Sequence, residues 1–482
     1  MYDVIIIGCG IVGTAAAYEL SKYNCSVAVL EKENDVACGT TKANSAIIHS
    51  GYDTKPGTLM ARLNVEGAKL AKELCRRLDV PYKQIGSLVL AFSQEDLSIL
   101  KKLYDQGIRN GVQGLELLTA EQVKKMEPNI SPDILGALYS PTGAIVTPWE
   151  YALAMAETAV RNGVDLYLNS GVYAIEKIGN GYKIATQSGE FHARYVLNAA
   201  GVHADKIHNM VAEPEFSIKP VKGEYYLLDK SEGTRVSHTI FQCPGKMGKG
   251  VLVSPTVHGN LIVGPNAENI SDAEDVSTSS HGLSFVAEMA LKSVPSINFR
   301  QAIRNFAGVR ATSDIDDFII AESKTAKGFI NLAGIKSPGL TAAPAIARMA
   351  VELLQTSGLN FVKKEDFIDT RHQIRFNQLP IEEKRLLIEE NPLYGRVICR
   401  CETITEGEIV DALHSPIPPR SLDGVKRRAN AGMGRCQGGF CGPRVLEIIA
   451  RELKLQPEKV LLDKEGTYIL TGETKTGGGC NE

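Results

Sequence analysis

The chain has 482 residues, enough for about three domains of ordinary size. Hydrophobic residues make up 44% and charged residues 23%, as in a globular protein with a large core, and the net charge of −3 gives no electrostatic case for binding nucleic acid or an anionic membrane. No apolar run approaches the about 18–20 residues that span a bilayer, and the N-terminus lacks the basic and apolar regions of a signal peptide. We therefore expect a cytoplasmic protein, with peripheral contact with the inner membrane as an open alternative.

The N-terminal residues predict a strand at 3–7, a helix at 14–23 and a second strand at 26–30, which is typical of a doubly wound α/β domain. The turn Gly8-Cys9-Gly10-Ile11-Val12-Gly13 fits G-x-G-x-x-G, and Glu31 ends the second strand. In this motif the glycines permit a tight turn, close approach of a pyrophosphate and helix–strand packing, while the acidic residue accepts hydrogen bonds from a ribose. The sequence therefore predicts a dinucleotide site.

The motif alone does not distinguish FAD from NAD. FAD is favoured because only one such fingerprint occurs, at the extreme N-terminus, and because residues 39–52 continue with small Ser, Thr and Asn residues suited to a long cofactor.

Later segments predict two kinds of strand. Residues 195–199 and 329–333 are apolar runs that return to the first sheet, whereas residues 86–92, 223–228 and 250–264 have antiparallel character, the last with a tight turn at His258-Gly259-Asn260. We therefore predict a Rossmann-like domain with a mainly antiparallel substrate domain inserted twice. The predicted boundaries are residues 1–80, 145–215 and 325–365 for the dinucleotide domain, 81–144 and 216–324 for the substrate domain, 366–394 for a linker, 395–450 for a Cys-rich domain, and 451–482 for an extension with a flexible tail.

Four of the ten cysteines, Cys399, Cys401, Cys436 and Cys441, form two close pairs, whereas Cys480 stands alone in the Gly-rich tail. Clustered cysteines in a cytosolic chain favour a metal over disulfides. Four thiolates suit zinc or an iron–sulfur cluster by number, although Cys-x-Cys is tight for tetrahedral zinc. An iron–sulfur cluster is the preferred prediction, with zinc and an empty remnant as alternatives.

Five segments carry a family resemblance. They are Asn44 to Tyr52, Lys55 to Thr58, Lys222 to Tyr226, Asn305 to Arg310 and Gly334 to Thr341. Together they resemble FAD-dependent glycerol-3-phosphate dehydrogenases and L-2-hydroxyglutarate oxidoreductases, within the group of D-amino-acid oxidase and glycine oxidase, over about residues 1–360. The cysteine unit, with Cys-x-Cys and Gly-Arg-Cys-Gln-Gly-x-x-Cys, resembles the bacterioferritin-associated ferredoxin-like [2Fe–2S] domain.

The resemblance implies residue roles. The implied FAD contacts are Gly8, Gly10, Ile11, Val12, Gly13, Glu31, Lys32, Thr40, Thr41, Ser45, Ile48, His49, Val172, Ala200, Gly201, Gly334, Ser337, Gly339, Leu340 and Thr341. The implied cluster ligands are Cys399, Cys401, Cys436 and Cys441.

Substrate chemistry centres on Arg310, which ends an apolar strand after a glycine and suits bidentate binding of a carboxylate or phosphate. His49 is the candidate base, with a structural flavin contact as the alternative. Lys336 is a candidate second cation, and Tyr225 a hydrogen-bond donor to the substrate.

Two further observations concern other residues. His203, His208, His258 and His281 lie among polar neighbours and are predicted at the surface. Some glycerol-3-phosphate enzymes carry a phosphate-binding arginine shortly after His-x-Gly, where this chain has Tyr52 and Asp53.

Together with these residues, the resemblance implies an FAD-dependent dehydrogenase that converts sn-glycerol-3-phosphate to dihydroxyacetone phosphate and passes electrons through a [2Fe–2S] cluster to a second redox subunit. A 2-hydroxyacid dehydrogenase is one alternative. A second alternative is an electron-transfer flavoprotein subunit without its own organic substrate. An anion-binding Arg310 argues against this alternative, because a pure electron carrier needs no anion anchor.

Overall fold

The computed structural model describes residues 1–245 and 250–472, so most of the predicted tail, including Cys480, lies outside the described residues. The chain forms two compact units. The first contains residues 1–32 and 36–372, and the second contains residues 33–35 and the chain from residue 373 onward. No helix in the described ranges is long and apolar enough to cross a lipid bilayer.

An eight-stranded sheet in the first unit contains the N-terminal strand. Residues 4–7 are buried because the strand Tyr2–Ile7 has a parallel neighbour on each side. Six strands follow the spatial order Val172–Ile178, Gly181–Thr186, Gly189–Asn198, Tyr2–Ile7, Val27–Leu30 and Asp165–Tyr167. The remaining two are Phe329–Ala333, parallel to Gly189–Asn198, and Ile319–Glu322, antiparallel to Phe329–Ala333. The predicted returns of the chain to this sheet are therefore confirmed.

Eight α-helices lie in the part of the first unit that the structure describes. They are Ile11–Leu20, Leu59–Arg77, Gln94–Arg109, Ala120–Met126, Pro148–Arg161, Ala204–His208, Ser280–Ser293 and Gly339–Thr356. The first of them begins at Ile11, three residues earlier than predicted. A methyl group added at Gly13 would lie 1.9 Å from the Gly8 carbonyl oxygen, and one at Gly67 would lie 2.2 Å from the Thr341 carbonyl oxygen. Glycine at these two positions therefore lets the backbones pack closely.

The second sheet of this unit has nine strands among the described residues. Eight of them follow the order Glu268–Asn269, Ile218–Leu228, Leu261–Gly264, Leu252–Pro255, Thr239–Gln242, Ser87–Ala91, Gly136–Ser140 and Glu116–Thr119, and Ala302–Ser313 pairs with Ile218–Leu228. Most pairs are antiparallel, as predicted, but Thr239–Gln242 runs parallel to Ser87–Ala91. A small sheet joins Ile47–Ile48, Ala144–Val146 and Tyr82–Gln84.

The second unit has its own hydrophobic core, which includes Ile409, Val425 and Ile449. Its helices and strands are Ile381–Glu390, Val397–Cys399, Ile404–Thr405, Glu406–Leu413, Leu422–Ala429 and Gly442–Glu452. Thr405 begins one helix with a capping box, since its hydroxyl accepts from the Glu408 amide at 3.3 Å and the Glu408 carboxylate accepts from the Thr405 amide at 2.8 Å.

A buried carboxylate, Asp35, stabilises the second unit. Its oxygens accept two hydrogen bonds of 2.8 Å from Arg428 and one of 2.8 Å from Arg427, and its side chain is 4% exposed. Burial alone would raise the pKa of Asp35. The charges and hydrogen bonds of the two guanidinium groups outweigh this effect of burial and hold the pKa of Asp35 well below its usual range. The ionised form is therefore favoured in the folded state.

Asp35→Asn is expected to destabilise the second unit by about 3–5 kcal/mol, because it removes the buried carboxylate charge that pairs with Arg427 and Arg428. The depressed pKa in the wild type means that this stabilisation is present above about pH 4 and is lost as the pH falls further. Denaturant unfolding at pH 7 and pH 3 measures both effects. Equal stability of Asp35→Asn and wild type at pH 7 would contradict the role of Asp35.

Candidate functional site

The glycine-rich turn has the geometry of a dinucleotide site. Gly8 has φ of +100°, a backbone conformation that side-chain-bearing residues rarely adopt. The Glu31 carboxylate accepts from the Cys9 amide at 2.6 Å, and Glu31 is 8% exposed. The turn therefore holds the carboxylate at the end of the second strand, where a ribose is expected.

Two helix N-termini near this turn have features that suit an anionic cofactor. The N-cap residues of the helices that begin at Ile11 and Gly339 make no side-chain hydrogen bond to the helix, and neither helix has an acidic residue in its first turn. Such a terminus favours negative charge because its backbone N–H groups and dipole point outward. The first fits the pyrophosphate of FAD, and the second fits the flavin ring, which becomes anionic on reduction.

The segment after the turn is fixed by threonine hydroxyls. Thr41 Oγ1 accepts from the Ile11 amide at 2.9 Å, and Thr40 Oγ1 donates to the Val309 carbonyl oxygen at 2.6 Å. Ser45 Oγ lies 3.3 Å from the Tyr225 hydroxyl. The predicted FAD contacts at these positions thus lie between the turn and the second sheet.

Other predicted FAD residues lie around the first sheet. Gly201 and Gly334 both have positive φ, at +57° and +64°. Lys32 Nζ is 2.6 Å from Glu274 Oε1, so its amine already has a carboxylate partner. The other predicted positions are Val12 in the first turn of its helix, Ile48 in a buried strand, Val172 at the start of its strand, Ala200 after the strand Gly189–Asn198, and Leu340 and Thr341 in the first turn of Gly339–Thr356.

His49 is held beside the last of these helices. Its amide donates to Thr341 Oγ1 at 2.8 Å, and its Nε2 lies 3.4 Å from Ser337 Oγ. Its ring lies 5.9 Å, centroid to centroid, from Phe241 on the second sheet. Phe241 was not predicted as a site residue, because nothing in the sequence around it indicates that it reaches His49.

The substrate-side face belongs to two paired strands. The register places Tyr225 opposite Phe306 and Gly223 opposite Gly308, and Arg310 two residues further along the same face. The Tyr225 and Phe306 rings are stacked with centroids 4.8 Å apart. This face therefore presents a phenol hydroxyl and a guanidinium on the side of Ser45.

Arg310 is half-buried and donates from Nη2 to the Asn266 carbonyl oxygen at 3.3 Å. Among the described residues it has no carboxylate within ion-pair distance. By contrast, Lys336 Nζ lies 3.8 Å from Asp316, although it is only 27% exposed. Of the two predicted cations, Arg310 is the better placed to receive a substrate anion.

One predicted surface histidine is buried. His208 is 0% exposed, with Nδ1 3.0 Å from Asn331 Nδ2 and Nε2 3.1 Å from the Glu213 carbonyl oxygen. Asn331 in turn accepts from Asn198 at 2.9 Å. The surface prediction for His208 was wrong because these partners satisfy its ring beneath the first sheet.

The four grouped cysteines form two sulfur pairs in the second unit. The Cys401 and Cys436 sulfurs are 3.7 Å apart, and Cys399 is hydrogen-bonded to Cys441. That hydrogen bond lowers the pKa of Cys399, because it stabilises the Cys399 thiolate, and it raises the pKa of Cys441. Two thiolates on one tetrahedral metal with bonds of about 2.3 Å lie about 3.8 Å apart, which fits one pair per metal.

The arrangement fits a binuclear cluster better than one zinc ion. Within the described ranges, no group of three or more His, Cys, Asp or Glu residues is arranged around a single metal position. Backbone amides of Gly432 and Glu402 point at Cys399, and those of Phe440 and Gly438 point at Cys436. Such N–H···S bonds are characteristic of iron–sulfur ligation.

The fold and these two centres define a flavin-dependent oxidoreductase with an iron–sulfur module. Residues 3–353 match the family described as FAD dependent oxidoreductase, and residues 397–451 match the BFD-like [2Fe-2S] binding domain. The chain therefore belongs to the FAD dependent oxidoreductase family and carries a [2Fe–2S] domain. The zinc and empty-remnant alternatives are set aside.

Individual relatives support the assignment. Glycerol 3-phosphate dehydrogenase of Caloramator mitchellensis is 54% identical over 477 residues, which cover 99% of each chain. Mitochondrial L-2-hydroxyglutarate dehydrogenase of Mus musculus is 31% identical over 407 residues, covering 72% of this chain and 87% of the relative. The structure of dithionite-reduced L-alpha-glycerophosphate oxidase from Mycoplasma pneumoniae with FAD bound is similar, with a TM-score of 0.74 and 32% identity over 78% of this chain and 99% of that one.

Proposed function

We propose that the enzyme oxidises sn-glycerol-3-phosphate to dihydroxyacetone phosphate and passes the electrons through its [2Fe–2S] cluster to a partner redox protein. The observation that carries the proposal is the half-buried Arg310, which has no carboxylate partner among the described residues and lies on the face that bears Tyr225. The 54% identical relative, named a glycerol 3-phosphate dehydrogenase, supports a phosphate ester as the anion.

Each residue of the site has a separate task in this reaction. The Arg310 guanidinium binds the phosphate through paired N–H groups and fixes the position of the carbon chain. Tyr225 donates a hydrogen bond to the substrate from the same face. His49 accepts the proton of the C2 hydroxyl, and Ser337 orients its ring. When bound, FAD supplies the acceptor for the hydride that leaves C2, so that the alcohol becomes a ketone.

The cofactor residues and the cluster ligands are part of the same proposal. Gly8, Gly10 and Glu31 hold the adenosine and pyrophosphate, while Thr341 and its helix terminus lie at the flavin. The Cys401–Cys436 and Cys399–Cys441 pairs each hold one iron.

A 2-hydroxyacid is the second candidate substrate, because an arginine binds a carboxylate as readily as a phosphate. The resemblance to some glycerol-3-phosphate enzymes implies a phosphate-binding arginine where this chain has Tyr52 and Asp53, and its absence there removes one reason to favour a phosphorylated substrate. Tyr52 is buried in the core under the second sheet, so its side chain provides no ligand to either anion.

Anaerobic reduction of the bound flavin tests the substrate directly. We expect sn-glycerol-3-phosphate to bleach the flavin absorbance near about 450 nm, and the enantiomer sn-glycerol-1-phosphate to leave it unchanged, because Arg310 and His49 hold one face of C2 toward the flavin. Bleaching by L-2-hydroxyglutarate but not by sn-glycerol-3-phosphate would show that the enzyme is a 2-hydroxyacid dehydrogenase instead. No bleaching by either would support the electron-transfer subunit instead.

A further inference from the structure

The guanidinium of Arg310 lies over a residue that has no side chain. Arg310 and Gly223 are on the same face of the paired strands Ile218–Leu228 and Ala302–Ser313. A methyl group added at Gly223 would lie 2.7 Å from Arg310 Nη2 and 3.2 Å from Arg310 Cζ. Real side-chain carbons do not approach other atoms so closely, so any larger residue at position 223 would displace the guanidinium.

The same methyl group would lie 2.8 Å from Pro265 Cβ, so the space above Gly223 is bounded on that side as well. The next residue, Asn266, accepts the Arg310 Nη2 hydrogen bond on its carbonyl oxygen at 3.3 Å. One of the five guanidinium N–H donors is thereby used inside the protein, and the others are left for an anion.

Asn266 is itself tied to the strand that carries Gly223. Its Oδ1 accepts from the Glu224 amide at 2.7 Å. Further along the same segment, Asp275 Oδ2 lies 2.8 Å from Lys222 Nζ, and the Lys222 side chain is 5% exposed. The Asn266 side chain therefore binds the residue after Gly223, and the segment that follows Asn266 binds the residue before Gly223.

We infer that Gly223 and Asn266 are positioning residues for the substrate anion: Gly223 provides the space in which the Arg310 guanidinium lies, and Asn266 fixes the plane of that guanidinium. This inference rests on the proposed role of Arg310 as the anion anchor. A long, flexible arginine held in advance in one plane binds a planar pair of anion oxygens without first losing its rotamer freedom.

Gly223→Ala is expected to raise the KM for sn-glycerol-3-phosphate by about 10- to 100-fold while kcat falls much less, because a displaced anchor weakens binding of the substrate and of the transition state alike. Asn266→Ala is expected to raise KM in the same direction by about 3- to 10-fold, since it frees the carbonyl without filling the space. The matched control is Gly245→Ala, where an added methyl group meets no atom of the described residues within 4 Å. The flavin absorbance spectrum reports folding and cofactor content of each variant.

A double-mutant cycle with Arg310→Ala separates positioning from a general structural effect. If Gly223 and Asn266 act through the guanidinium, their substitutions lower kcat/KM in the wild type but cause no further loss in the Arg310→Ala background. An equal loss in both backgrounds, or no loss in the wild type, would overturn the inference. Should Gly223→Ala fail to fold, Asn266→Ala carries the same cycle. An unchanged kcat/KM for Arg310→Ala itself would instead remove the anchor from the proposed function.

Discussion

Arg310→Ala is expected to lower kcat/KM for sn-glycerol-3-phosphate by about 30- to 200-fold while FAD stays bound. The loss of one charged hydrogen-bonding partner costs about 2–3 kcal/mol, which corresponds to this factor. Most of the change is expected in KM, because the phosphate is charged in both the ground state and the transition state. Flavin absorbance measures whether FAD stays bound, and steady-state kinetics under anaerobic conditions measure KM and kcat/KM.

Two control variants sharpen this experiment. Arg304→Ala removes an exposed arginine from the same strand, and it should leave kcat/KM within about twofold of the wild type. Arg310→Lys keeps the positive charge but loses the planar pair of N–H donors. Its kcat/KM should therefore lie between that of the wild type and that of Arg310→Ala. If Arg304→Ala and Arg310→Ala gave the same kinetics, Arg310 would have no special role in binding the substrate.

The geometry of the glycine-rich turn was predictable because its residues are local in sequence. The turn between Gly8 and Gly13 and the acidic residue at position 31 lie within one strand–helix–strand unit, whose geometry follows from the short connections alone. The grouping of the four cysteines was predictable from their short spacings, with Cys399 and Cys401 two residues apart and Cys436 and Cys441 five apart, but the pairing was not, because the sulfurs pair as Cys401 with Cys436 and Cys399 with Cys441.

The substrate half depends on contacts between segments far apart in the chain. Asn266 reaches Arg310 across 44 residues, and Phe241 approaches His49 from a strand that pairs with residues 87–91. His208 has polar neighbours in the sequence, yet Asn331, 123 residues away, satisfies it in the interior. No periodicity or spacing encodes such pairings, because they follow from how the two sheets pack rather than from any local propensity.

Cys436→Ser is expected to abolish the [2Fe–2S] cluster and the transfer of electrons to the natural acceptor, while the rate of flavin reduction by substrate stays close to that of the wild type. The four cysteines lie in the second unit, which has its own hydrophobic core, whereas the proposed flavin and substrate residues lie in the first. We therefore expect the site of hydride transfer to keep its structure when the cluster is lost. Stopped-flow measurement of flavin reduction, together with iron content and turnover with the acceptor, tests each step separately.

The electron count explains why turnover should stop although the flavin is still reduced. Hydride transfer delivers two electrons at once, whereas a [2Fe–2S] centre takes one, so each turnover requires two successive transfers through the cysteine module. Cys25→Ser is the matched control, since Cys25 is a free cysteine in the first unit and its loss should leave iron content and turnover unchanged. If Cys436→Ser lost its iron but still turned over with the acceptor, electrons would leave directly from the flavin and the cluster would have a structural role. If it reduced its flavin slowly as well, the cluster domain would be required for the geometry of the flavin site itself.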